Sequence, residues 1–228
     1  MGAKPKVGFI IPFRDREAHL AQFTKRIIEH SRGKYDPWLF IMEQAEGEPF
    51  NRGALLNLGT LAVNRILGDN TPIALHDVDM LPAPSVNYHL LEADFVHLAT
   101  CVSQFKNKMP YQDYFGGVVA TTPRSMISVG GFPMDFGGWG GEDDTLLVRV
   151  KASGLTMRRR YNQYFVSLAH EREIDGDLLW KNRDLLEKMR RDPYTGGRIT
   201  SEGWTVNQRP SIRDGQISIL RFICTPNT

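Results

Sequence analysis

Val7-Gly8-Phe9-Ile10-Ile11 is a short uninterrupted apolar run, and Leu20, Phe23, Ile27 and Ile28 follow it at helical spacing as far as Gly33. The run suits a buried strand, and the spacing that follows gives a crossover helix with one apolar stripe. The unit then repeats. Trp38-Leu39-Phe40-Ile41 reads as a second strand, Leu55, Leu58, Leu61, Ala62 and Ile66 mark the face of a second helix, and Ile73-Ala74-Leu75 reads as a third strand. Repeated strand–helix–strand units imply a parallel sheet between helix layers. In open sheets of this kind ligands sit beyond the carboxyl ends of the strands, so the residues just after each strand are the first candidates for chemistry.

Pro12-Phe13-Arg14-Asp15-Arg16 follows the first strand. Arg14 and Arg16 are candidates for phosphate or uracil contacts, because guanidinium forks donate paired hydrogen bonds; the alternative is an exposed helix start, where basic residues oppose the dipole. Phe50-Asn51-Arg52-Gly53 precedes the second helix, with Asn51 placed as its cap and no more, and Arg52 facing the same cleft. His76-Asp77-Val78-Asp79 follows the third strand. In extended backbone Asp77 and Asp79 point the same way and offer the oxygens that Mn²⁺ or Mg²⁺ takes against a diphosphate. The competing reading is a turn, since Pro82 and Pro84 come soon after. Gly137-Gly138-Trp139-Gly140-Gly141-Glu142-Asp143-Asp144 sets an aromatic ring among four glycines beside three carboxylates. That composition reads as a mobile sugar clamp next to an acid cluster. Leu146, Leu147 and Val150, ended by Gly154, put the acids at a helix N-terminus, where they cap the first turn or take part in chemistry.

Composition narrows the field. The chain has 228 residues, 41% hydrophobic and 24% charged, consistent with one domain over residues 1–228. A net charge of +2 with only short arginine runs gives no basic stripe, so no nucleic-acid partner is expected. No window approaches the roughly 18 uninterrupted apolar residues of a transmembrane segment, and the first residues lack the apolar stretch of a signal peptide. Cys101 and Cys224 are too few for a disulfide scaffold, and a reducing compartment fits them best, with one long-range bridge left open.

Taken in order, Pro12-Phe13-Arg14-Asp15-Arg16, Phe50-Asn51-Arg52, Asp77-Val78-Asp79, Tyr114-Phe115-Gly116-Gly117 and Trp139-Gly140-Gly141-Glu142-Asp143-Asp144 resemble the metal-dependent β-1,4-galactosyltransferases, glycosyltransferase family 7. The likeness runs from about Val7 to His170, with an echo at Glu202-Gly203-Trp204. The resemblance implies an α/β GT-A nucleotide-sugar transferase with a mixed, mostly parallel sheet flanked by helices. It implies inverting transfer of galactose from UDP-galactose to a hydroxyl of a glycan or glycoside acceptor, in β-1,4 linkage. By the same resemblance Asp79 and His170 bind Mn²⁺, with Mg²⁺ as the alternative, and Asp77 is a ribose contact or a support for the metal ligand. Pro12, Phe13, Arg14, Arg16, Phe50, Arg52, Val78, Gly140 and Glu142 fall on the nucleotide-sugar side, while Tyr111, Tyr114, Gly141 and Asp144 fall on the acceptor side. Trp139 is the moving clamp between the two, and Asp143 is the base. Tyr114 crowds the space of a donor N-acetyl group and so favours galactose over N-acetylgalactosamine. Residues 171–200 form a lid that orders on the donor and creates the acceptor site.

One departure stands out: relatives place a histidine or methionine a few residues before the last metal ligand, where this chain has Val166, Ser167 and Leu168. A weaker metal site, or one completed by water, is implied. His19, His30, His89 and His97 read as surface or packing residues, and His76 is left open. The rival functions are a UDP-GalNAc or UDP-glucose transferase of polysaccharide synthesis, and a carbohydrate-binding homologue with weak turnover. The acceptor is open among xylose, glucose and N-acetylglucosamine. The compartment is cytoplasmic, or the Golgi lumen for a trimmed catalytic domain.

Overall fold

The structure is a computed structural model that describes residues 2–138, 140–169, 175–213 and 215–227. The apolar runs become β1 (Lys6–Phe13), β2 (Asp36–Gln44) and β3 (Ile73–His76), joined by helices α1 (Glu17–Ser31) and α2 (Arg52–Leu67). β1 lies parallel to both β2 and β3. Val7, Phe9, Ile10 and Ile11 have no exposed surface. Alternate side chains of β1 feed two cores: Val7, Phe9 and Ile11 join Leu20, Phe23 and Ile27 of α1, and Ile10 joins Leu55, Leu58 and Val63 of α2. Each buried side chain of this size contributes about 1.5–3 kcal/mol. Gly59 lets α2 approach the sheet closely, for a Cβ there would lie 2.2 Å from Ile10 Cγ2.

The remaining strands extend the sheet on both sides. After β4 (Met80–Pro82) come β5 (Phe95–His97), β6 (Cys101–Val102) and β7 (Val118–Thr121), then β8 (Met157–Arg159) and β9 (Tyr164–Ser167). The chain ends with β10 (Trp204–Gln208), β11 (Ile212–Arg213) and β12 (Ser218–Pro226). The main sheet has the order β10-β12-β2-β1-β3-β7-β5-β8, with β11 also on β12. β12 runs parallel to β2, so the central run β12-β2-β1-β3 is all parallel, while β7 and β10 add antiparallel flanks. The tail strand expected from the alternation at Gln216–Ile223 is thus an internal strand. β4, β9 and β6 form a separate three-stranded sheet.

Three helices complete the fold: α3 (Pro123–Ser128), α4 (Glu142–Ser153) and α5 (Gly176–Arg191). α5 starts at Asp175, whose side chain accepts from the Asp177 and Leu178 N–H groups. Among the described residues no helix is long and apolar enough to cross a membrane.

Two local expectations are corrected. Asp77, Val78 and Asp79 are not extended: β3 stops at His76, and the Met80 N–H donates to the Asp77 carbonyl at 3.2 Å, closing a tight turn as the chain leaves the main sheet for β4. None of the three acids caps α4; Gly141, at φ 94°, occupies the N-cap position without a side-chain bond, which leaves the carboxylates available for other partners. His76, left open above, is a packing residue, fully buried with Nε2 2.9 Å from the Tyr88 hydroxyl.

Candidate active site

Arg52 is the first residue of α2, placed there because the Asn51 side chain accepts from the Ala54 N–H at 2.8 Å and starts the helix. Its guanidinium ties the loop after β3 to the start of α4. Nε donates to Asp77 Oδ1 at 2.7 Å, and Nη1 donates to Asp143 Oδ1 at 2.7 Å, with Glu142 Oε1 at 3.4 Å. The two acidic motifs are therefore one guanidinium apart. The carboxylates hold the Arg52 pKa well above its usual value although burial opposes them. Burial raises the Asp143 carboxyl, Glu142 and Asp77 add to the rise, and Arg52 opposes it. Glu142 is raised as well, by burial first, against the pull of Arg52. A raised carboxylate approaches the range in which a general base works best near neutral pH.

The Tyr114–Gly117 stretch supplies the wall facing Asp143. A Cβ on Gly116 would lie 2.5 Å from Asp143 Oδ2 and 2.8 Å from Tyr114 Cε2, so only a glycine leaves room for the carboxylate beside the ring. The Tyr111 hydroxyl donates to Asp144 Oδ1 at 2.9 Å, and the Tyr111 and Tyr114 rings meet edge to face at 5.6 Å. Burial raises Asp144, while the bond from Tyr111 pulls it down. Tyr111 is still 47% exposed, which leaves its ring open to a ligand.

The predicted nucleotide side separates into two kinds of residue. The Arg14 guanidinium lies 5.2 Å from the centre of the Phe50 ring and donates to the Glu48 carbonyl at 2.8 Å, so these two residues do share the cleft rim. The Phe50 carbonyl in turn accepts from the Gly138 N–H at 2.9 Å, joining the rim to the glycine loop. Arg16 takes the N-cap position of α1. Pro12, Phe13 and Val78 are buried; Phe13 is 1% exposed under the Arg221 guanidinium and Val78 is 7% exposed in the core, which leaves only their backbones for a ligand. Gly140 and Gly141 flank the loop, with Leu179 of α5 lying 3.4 Å from where a Gly140 Cβ would be. Trp139 and His170 lie outside the described residues.

For a metal, the test is whether Asp79 and the strand leading to His170 come together. They do: β4 and β9 pair antiparallel with Met80 opposite Ser167, and the Leu168 N–H donates to the Asp79 carbonyl at 2.8 Å. The Asp79 backbone is thus bonded to Leu168, just after the strand that ends three residues before His170, and a carboxylate and an imidazole are donors that a divalent cation accepts. Among the described residues no set of three or more His, Cys, Asp or Glu side chains is gathered for a metal.

Three features escaped the sequence reading. Asn51 does more than cap α2: its Nδ2 donates to the Met134 carbonyl at 2.7 Å, and its own N–H is held by Gln44 Oε1 at 2.7 Å. His19, read as surface or packing, has Nε2 3.2 Å from the Ala169 carbonyl, so α1 meets the chain just before His170. Arg149 is fully buried, and its place three residues after Leu146 on the apolar stripe of α4 was the one available signal.

Comparisons with known proteins bear on the family and the fold. A model described as the N-terminal region of glycosyl transferase group 7 matches residues 2–91, and one described as the N-terminal domain of galactosyltransferase matches residues 96–171. Beta-1,4-galactosyltransferase 5 of Danio rerio is 31% identical over 84% of this chain and 51% of its own length. The Sus scrofa protein of the same name is 36% identical over 68% of this chain and 40% of its own. The chain thus spans about half the length of the relatives it matches. The catalytic domain of Drosophila beta-1,4-galactosyltransferase 7, solved with xylobiose, superposes with a TM-score of 0.77 at 21% identity, covering 98% of this chain and 95% of that one. A mutant of the same protein, solved with manganese, UDP-Gal and xylobiose, gives 0.78. The expected GT-A architecture is therefore that of the structural neighbours, and the chain belongs to the β-1,4-galactosyltransferase family, glycosyltransferase group 7.

Proposed function

We propose that this chain is a single catalytic domain that transfers galactose from UDP-galactose to a sugar hydroxyl with inversion. The observation that supports the reading is the Arg52 bridge, which brings Asp77 and Asp143 to one guanidinium; in this reading Asp77 faces the donor and Asp143 the acceptor. Asp143 takes the proton of the acceptor hydroxyl as its oxygen attacks the anomeric carbon. Its raised pKa makes it a stronger base than an ordinary aspartate, and Arg52 opposes the rise. The bond to UDP breaks as the new glycosidic bond forms, so no covalent sugar intermediate is needed, and positive charge building on the sugar is stabilised by Glu142 and Asp143.

Asp144, oriented by Tyr111, binds an acceptor hydroxyl, and Tyr114 limits the donor to a sugar without an N-acetyl group. Arg14 and Phe50 hold the nucleotide, with Arg16 beside them. Asp79 and His170 would hold Mn²⁺, or Mg²⁺ in its place. Bound there, the cation supplies a Lewis acid that neutralises the departing diphosphate. Of the expected 171–200 lid, residues 175–200 are already built as α5 and the turn after it, and in this reading they form one wall of the acceptor site; residues 171–174 lie outside the described residues. A xyloside is the first acceptor to try, since the Drosophila neighbour was solved with xylobiose.

The test is UDP release from UDP-galactose, UDP-glucose and UDP-GalNAc, with and without Mn²⁺, against xylosides, glucosides and N-acetylglucosaminides. Release stimulated by acceptor and greatest with UDP-galactose and Mn²⁺ is expected. Sugar binding without UDP release from any pairing would replace this reading with that of a carbohydrate-binding homologue.

A further inference from the structure

Arg149, midway along α4, has no exposed surface and spends every N–H on backbone carbonyls. Nη1 donates to Gly130 at 2.7 Å and Gly131 at 2.9 Å; Nε donates to Pro193 at 2.9 Å; Nη2 donates to Thr195 at 3.2 Å and Gly197 at 2.6 Å. Among the described residues it hydrogen-bonds to no carboxylate. Burying a charge without an opposite charge is costly unless all its donors are met, and a planar fork meets them only when the carbonyls are held in fixed places. The carbonyls come from two segments far apart in sequence. Residues 130–131 open the stretch that runs through the glycine loop to α4, whose first three residues are Glu142, Asp143 and Asp144; residues 193–197 follow α5.

The two segments also pack on each other directly. Gly131, at φ 65°, is wedged so that a Cβ would lie 2.4 Å from Asn57 Oδ1 and 3.0 Å from Ile199 Cβ, and a Cβ on Gly196 would lie 3.1 Å from Pro133 Cβ. Asn57 fixes the first segment to α2, donating to the Phe132 carbonyl at 2.8 Å and accepting from the Phe132 N–H at 2.9 Å. Midway along α5, Asn182 Nδ2 donates to the Gly137 carbonyl at 2.9 Å. α5 is therefore tied to the glycine loop at its middle, and Arg149 ties the segment that follows its C-terminus.

We propose that Arg149 is a positioning residue for the acceptor side of the site: by clasping residues 130–131 and 193–197 it makes α4, the stretch that leads into it and the α5 segment one unit. The kinetic consequence rests on the galactosyl-transfer reading; the clasp itself does not. A misplacement of about 1 Å at a reacting group costs on the order of 100-fold in rate. Arg149→Lys keeps the charge but has three donors and no fork, so it cannot serve both segments.

Two measurements test the proposal. Native-state hydrogen exchange of the unaltered protein in rising denaturant should show the amides of 130–134 and 193–199 opening together, as one cooperative unit; independent opening would overturn the clasp. In Arg149→Lys, and in Gly131→Ala, which attacks the same junction from its other side, both segments should exchange faster together while β1 and β2 stay protected. The acceptor kcat/KM should fall on the order of 100-fold, chiefly through acceptor KM, with donor KM unchanged. A lower Tm with both KM values unchanged would mean that Arg149 only holds the fold. If the unaltered protein releases no UDP from any donor, the transfer reading fails, and the exchange experiment still decides the clasp.

Discussion

Arg52 bonds to the first turn of α4 and Arg149 sits two turns further along that helix, and both donate only to oxygen atoms. Around Arg52 the oxygens belong to Asp77, Glu142 and Asp143; around Arg149 they are the carbonyls of residues 130, 131, 193, 195 and 197. The same side chain responds in opposite ways: carboxylates raise the Arg52 pKa, whereas burial lowers that of Arg149 to about 10. The difference separates two tasks. Arg52 sets charge, opposing the rise that burial imposes on Asp143 and Glu142; Arg149 sets geometry, where the fork matters more than the charge.

Removing the charge at the first site is expected to have the largest effect. Arg52→Met should cut turnover by roughly 100- to 1,000-fold, the scale of losing one preorganised electrostatic partner. It should also move the acid limb of the pH–rate profile. The base must be ionised, Arg52 lowers its pKa, and so loss of Arg52 raises that pKa and shifts the limb to higher pH. An unmoved limb would detach Arg52 from the base. A milder pair of substitutions sharpens the contrast. Arg52→Lys, which keeps a cation beside the acids, should cost only about tenfold, less than the same change at Arg149. The reverse order, measured as acceptor kcat/KM, would break the division into charge and geometry.

Asn51→Ala removes a helix cap and the bond to Met134 together, and should lower stability by about 1–3 kcal/mol in urea unfolding. Because Asn51 sits between the two arginine regions, a larger rise in acceptor KM than in donor KM would show that the Met134 link carries the glycine loop. Tyr111→Phe should have the smallest effect. Losing its bond to Asp144 should raise acceptor KM about three- to tenfold and leave UDP affinity unchanged, as calorimetry would show.

The parallel core was legible because β1, α1, β2, α2 and β3 each carry a full apolar run or stripe, and the rule about strand ends then pointed to Arg14, Arg16, Asp77 and Asp79, with Arg52 found at the start of the second helix. The antiparallel flank was not, since β5 and β8 have three residues each, too few for a periodic signal. The turn at Asp77–Asp79 was legible only as an alternative, because two aspartates two apart satisfy either geometry. The partners of Arg149 left no trace at all: backbone carbonyls have no side-chain identity, so the sequence offers only an arginine on an apolar stripe. The acids at the start of α4 looked like caps because acids often are, and the structure shows that Gly141 holds the N-cap position while they form the first turn.

The most direct test of the central claim is the anomeric configuration of the product formed from UDP-galactose and a β-xyloside, read by proton NMR. Direct displacement with Asp143 as base predicts a β-linked galactoside, with Asp143→Asn retaining UDP binding and forming product at least about 100-fold more slowly. An α-linked product, or an Asp143→Asn variant as fast as the unaltered protein, would contradict it.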